Sequence, residues 1–78
     1  MAWTERDNAL HLTHKTRDFA QALAIVNRIG EAAEAAGHHP DLELGWGYVR
    51  IHLTSHDQGC VTGRDRALAA RIDEILGS

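Results

Sequence analysis

Cysteine is almost missing from this 78-residue chain: Cys60 stands alone. No intramolecular disulfide can therefore staple the fold. A lone thiol also fits a reducing compartment, so the cytoplasm is the expected location. Long apolar runs are missing too, and nothing approaches the roughly 20 residues of a membrane-spanning helix. The stretch from Met1 to Asn8 is polar and holds no signal-peptide core. Charge of one sign is not in excess: eight Lys and Arg stand against eleven Asp and Glu, interleaved, for a net charge of -3. That excludes the basic stripe of a nucleic-acid binder. Repeats, linkers and low-complexity segments are also absent, so residues 1–78 read as a single domain. A domain this small buries only about 60% of its unfolded surface. With disulfides excluded, self-association is the stabilising route that remains.

What the chain has in quantity is histidine. There are six, falling as His11 and His14, His38 and His39, His52 and His56. The elements around them are legible from pattern. Trp3 to Glu5 predicts a short strand, Asp7-Asn8 a turn, and Ala9 to Lys15 the second arm of a hairpin. In that arm Leu10 and Leu12 share one face, and His11 and Thr13 the other. Asp18 caps a helix running to about Ala36.

That helix carries two overlapping apolar stripes. One is Phe19, Leu23, Val26 and Ala33; the other is Ala22, Ile25, Ile29, Ala32 and Ala36. Together they exceed what one sheet contact requires, which predicts a subunit interface. Gly37 stands at the position of a C-terminal cap glycine, and Pro40 pushes His39 into extended geometry. A strand from Asp41 to Leu44 and a cleanly alternating one from Tyr48 to Thr54 follow. Thr62 and Asp65 form a Thr-x-x-Asp capping box for a last helix ending near Leu76. The order is β-β-α-β-β-α, an α+β fold with a four-stranded antiparallel sheet and its helices on one face.

The candidates for chemistry are Glu34, His38, His39, His52 and His56. Glu34 and His38 are four residues apart, so a continuous helix would put them on one side, where a carboxylate orients an imidazole and raises its basicity. His56 lies just past a strand end, a common place for reactive groups. Imidazoles with pKa values near 6.5 suit general acid–base work at neutral pH. They also suit transition metals, although no His-Glu-x-x-His and no cysteine pair is present. Scattered surface histidines form the third reading, and spacing alone leaves all three open.

The segment from Glu34 to Asp65 resembles the signature of the pterin-4a-carbinolamine dehydratase family. The matching residues are Glu34, His38-His39-Pro40, Trp46, His56 and Asp65, with every spacing kept. Trp3, Asp18-Phe19 and the helix opening Thr62-Gly-Arg-Asp65 also resemble family positions, so the likeness covers nearly the whole chain. The resemblance implies a hydro-lyase that dehydrates a 4a-hydroxytetrahydropterin such as 4a-hydroxytetrahydrobiopterin. The product is a quinonoid dihydropterin, formed by histidine acid–base catalysis with no metal or cofactor, in tetrahydropterin recycling. It implies catalytic roles for His38 and His56, substrate orientation by His39, and support of His38 by Glu34. Pro40 and Ser55 would border the pterin.

Asp65 matches the motif but reads as a capping residue, and His52 as a solvated or interface strand residue. Trp46 reads as packing or hairpin geometry ahead of a pterin stacker, with stacking left open. His11 and His14 have no place in the motif, and Cys60 shows no sign of activation. The resemblance further implies a homodimer or homotetramer, the latter through the long central helix. The family's usual helix ahead of its first tryptophan has no counterpart before Trp3, which predicts a partly uncovered sheet face. Leu42 stands near where many relatives have an aromatic residue. The alternative use of the same fold is a non-catalytic dimerisation or assembly module.

Overall fold

In the computed structural model, which describes residues 3–77, the first turn falls at Asp7 and Asn8. Both take the left-handed backbone conformation, with φ of 51° and 62°. Two such residues make the type I′ hairpin turn, whose twist matches that of the strands, and short polar side chains tolerate it best. The turn joins β1 (Thr4–Arg6) to β2 (Ala9–Lys15), so the first strand lies one residue later than the sequence predicts. α1 spans Phe19–Ala36, β3 Asp41–Gly45, β4 Tyr48–Leu53 and α2 Gly63–Gly77. The element order and fold class are those expected from the sequence.

The sheet order is β1-β2-β4-β3, and every neighbouring pair is antiparallel. The β3–β4 turn places the Tyr48 ring directly over Gly45, where an added Cβ would lie 2.4 Å from it. A larger residue there would push the Tyr48 ring aside. Both helices pack on one face, against Leu10 and Leu12 of β2 and Val49, Ile51 and Leu53 of β4. α2 contributes Leu68, Ala69, Ile72 and Ile75 to this core.

Asp18 caps α1 by accepting the Gln21 N–H at 2.8 Å. The buried stripe of α1 is Ala22, Ile25, Ile29 and Ala33, an i, i+3, i+7, i+11 row. Ala33 thus joins the core stripe and leaves the one it was assigned to from the sequence. Of the rest of that stripe, Val26 packs against the edge of the core, while Phe19 and Leu23 stay outside, 48% and 44% exposed. On the opposite, open face of the sheet, His11, His52 and Asp41 form a row across three strands. His11 and His52 lie 4.7 Å apart between ring centres, and His52 Nδ1 meets Asp41 at 3.1 Å. No helix among the described residues is long and apolar enough to cross a membrane.

Candidate active site

The site begins where α1 ends. Gly37 takes a left-handed conformation (φ 66°), its N–H donates to the Glu34 carbonyl, and the His38 N–H donates to the Ala33 carbonyl, both at 3.3 Å. This pair of bonds is the Schellman cap. It turns the chain out of the helical spiral at Gly37, so Glu34 and His38 do not share the side that an i, i+4 pair shares within a helix. His38 turns toward α2, where its Nε2 lies 2.5 Å from Asp65 Oδ1. The expected support of His38 by Glu34 is therefore corrected. Glu34 hydrogen-bonds His39 Nε2 instead, out in solvent, with the two side chains 77% and 60% exposed.

Asp65 is completely buried, and every one of its contacts favours the carboxylate. Oδ1 takes the His38 imidazole. Oδ2 accepts the Ser55 hydroxyl at 2.7 Å and the Thr62 N–H at 2.9 Å. Burial alone would raise the Asp65 pKa, but the bonds from His38, Thr62 and Ser55 outweigh it, and the net shift is downward. An ionised Asp65 only accepts, which orders the protons around it. Ser55 must donate to Asp65, so Thr62 Oγ1 donates to Ser55 Oγ across their 2.7 Å contact. His38 must carry its proton on Nε2, which leaves Nδ1 as the free nitrogen of the neutral ring.

The capping reading of Asp65 also holds. Thr62 Oγ1 accepts the Arg64 N–H, one residue short of the usual capping-box donor, and Asp65 reaches back to the Thr62 N–H as a capping-box acid does. Sequence reasoning missed the second role. The spacing to His56 was visible, but nothing local in the sequence says that the first turn of α2 meets the end of α1.

Ser55 is buried and tied into this network, as its position at the end of β4 allows. The loop that follows is closed by Ser55 N–H to Cys60 O and by Gln58 and Gly59 N–H groups to Ser55 O. His56 is exposed at the start of that loop, one residue from the network and with no bond into it. Pro40 lies with Glu34, His39, Ala33 and Leu42 around an open cavity of about 590 Å3, whereas His38 lines a different groove between the helices. Trp46 is 71% exposed at the β3–β4 turn, so the packing reading does not apply. His11, His14 and His52 lie on β2 and β4, away from the Asp65 network.

A helix-backed antiparallel sheet with imidazole–carboxylate pairs at one helix end defines a class of small α+β domains with titratable side chains at a helix–strand junction. The family model described as pterin 4 alpha carbinolamine dehydratase matches residues 1–75, and the chain belongs to that family. A relative from Koribacter versatilis, provisionally named a pterin-4-alpha-carbinolamine dehydratase, is 44% identical over 73 residues, which are 94% of this chain and 78% of the relative. One from Chloroflexus aggregans with the same provisional name is 49% identical over 94% of this chain and 78% of its own. Among solved structures, a transcriptional coactivator/pterin dehydratase from Brucella melitensis superposes with a TM-score of 0.91 at 27% identity, covering 97% of this chain and 83% of that one. A pterin dehydratase-like protein identified as a RuBisCO assembly factor of the alpha-carboxysome gives 0.78 at 27% identity, over 97% and 88%.

Proposed function

We propose that this protein is a cytoplasmic 4a-hydroxytetrahydropterin dehydratase that works by histidine acid–base catalysis and assembles as a homo-oligomer. The observation that carries the reading is the buried Asp65–His38 bond, backed by family membership. A fixed Nε2–H on His38 presents Nδ1 as a proton acceptor or, once protonated, a donor. Dehydration needs one proton delivered to the 4a-hydroxyl, one removed from the ring, and the hydroxyl leaving as water. No net proton is consumed, and two imidazoles can exchange the roles. His38 and His56 share them, while His39, held by Glu34 beside Pro40, orients the ring. Ser55 is fully buried and supports Asp65 instead of bordering the pterin. The pterin is substrate, and neither metal nor cofactor takes part.

The test is stopped-flow absorbance of carbinolamine decay with a chelator present. Accelerated decay that survives the chelator, reduced by about 100-fold or more in His38→Ala and His56→Ala, is the expected result. Folded variants that turn over at the parent rate would sink the histidine mechanism. The assembly-module reading has one observation in its favour, the likeness to the RuBisCO assembly factor. It gains ground if the folded parent accelerates nothing.

A further inference from the structure

An open groove of about 580 Å3 leads away from His38 between α1 and α2, lined by Arg28, Ala32, Ala36, Arg64, Arg71 and Ile75 among others. Its direction follows from how the helices meet. The end of α1 and the first turn of α2 come together at the His38–Asp65 bond. From there α1 runs back to Arg28 and α2 runs on to Arg71. At 1.5 Å per residue, Arg71 lies roughly 9 Å along α2 from Asp65, and Arg28 roughly 12 Å along α1 from Ala36. The alanines keep the floor low and apolar, so the groove stays open along this length.

The charge of the rim runs against that of the molecule. The chain carries -3 overall, yet the groove gathers Arg28, Arg64 and Arg71 against one acid, Glu31. The three arginines are not equally engaged. Arg64 is held by Asp57 at 2.5 Å, and Arg71 meets Glu74 at a loose 3.4 Å. Arg28 has no hydrogen bond or ion pair among the described residues. A free guanidinium beside an apolar floor is a ready bidentate donor for a carboxylate or a phosphate. Dehydration at the ring gives no reason for positive charge this far from His38.

We infer that the pterin taken by this site carries an anionic group, phosphate ester or carboxylate, on its side chain, and that Arg28 and Arg71 bind it along the groove. The inference rests on the pterin reading above and narrows its substrate class. The ring lies at His38, which lines the head of this groove, and the charged tail extends toward the arginines. A neutral side chain gains nothing from them.

Isothermal titration with neopterin, neopterin monophosphate and pteroylglutamate tests this without relying on turnover. At least one anionic pterin should bind about tenfold tighter than neopterin at low salt, and the preference should shrink in 0.5 M salt as screening sets in. It should collapse toward one in an Arg28→Gln/Arg71→Gln double variant, whose substituted positions are both exposed and whose fold is checked by circular dichroism. A preference for the monophosphate alone assigns phosphate, and one for pteroylglutamate alone assigns carboxylate. Equal binding of all three overturns the inference and leaves the dehydratase reading standing, to be judged on turnover of a neutral carbinolamine. No binding of any pterin overturns both.

Discussion

Asp65 caps α2 and fixes His38 with the same carboxylate, and an Asp65→Asn variant separates charge from shape. Oδ2 accepts from two donors, the Ser55 hydroxyl and the Thr62 N–H. Since the backbone donor cannot rotate, the carbonyl of the introduced amide takes that side and its NH2 faces His38. The imidazole must then accept at Nε2 and hold its proton on Nδ1, the reverse of the native tautomer. A wrong tautomer in an intact site costs a general base most of its effect, so turnover should fall by about 100-fold to 10,000-fold. The stability of the two proteins should also diverge with pH. The folded pKa of Asp65 lies below its ordinary 3.8, so its contribution is present above about pH 4 and is lost as pH falls through the folded value. Thermal melts should show the parent more stable at pH 7, by about 1–3 kcal/mol. The gap should close below pH 4, where the parent's melting temperature drops and the variant's slope is shallower. Equal slopes would mean that Asp65 does not ionise differently on folding. Glu34→Gln is the contrasting case, because the Glu34–His39 pair is exposed. It should change stability by under about 1 kcal/mol and turnover less than Asp65→Asn does.

At the scale of the element, the end of α1 decides where both histidines go. Gly37 has φ of 66°, so Gly37→Ala should cost about 1 kcal/mol in backbone strain, or about 4–8 °C of melting temperature in a domain of this size. Because the strain falls one residue before His38, turnover should drop as well. A variant that melts lower with unchanged turnover would show that the cap stabilises without positioning. This junction also marks how far the sequence could be read. Alternation in Ala9–Lys15 and Tyr48–Leu53, the caps at Asp18, Gly37 and Thr62, and the Asp7-Asn8 turn are local signals, and each element they mark is present. The partners of His38 and Glu34 are not local. Asp65 reaches His38 across 27 residues of sequence, and the same glycine that was legible as a cap breaks the i, i+4 geometry that would have joined Glu34 to His38. Ala33 is a smaller case of the same kind. Two overlapping stripes on one helix leave its side ambiguous until the sheet beneath settles it, and there it is buried with Ile29.

The whole molecule leaves apolar surface where a 78-residue domain can least spare it. Phe19 and Leu23 stand four residues apart on α1 and are nearly half exposed, and Val26 beside them is only partly covered. Phe19 and Leu23 lie clear of the core stripe, so the sheet cannot take them, while Val26 packs at the edge of the core. Self-association through this stripe makes a specific prediction that separates it from a harmless exposed pair. In a monomer, Leu23→Glu is a surface change and should move stability by no more than about 0.5 kcal/mol. If copies pack through α1, the same substitution buries a charge in an apolar contact, and sedimentation should show the mass falling to that of the single chain. Melting temperature offers a second readout, because an assembly that exists only when folded gains stability with protein concentration. The parent should melt higher as concentration is raised tenfold, and Leu23→Glu should melt lower, independently of concentration. A parent that sediments as one chain and melts at a fixed temperature would remove the oligomer from the proposal. The Asp65–His38 site would be untouched, since both of its residues come from one chain.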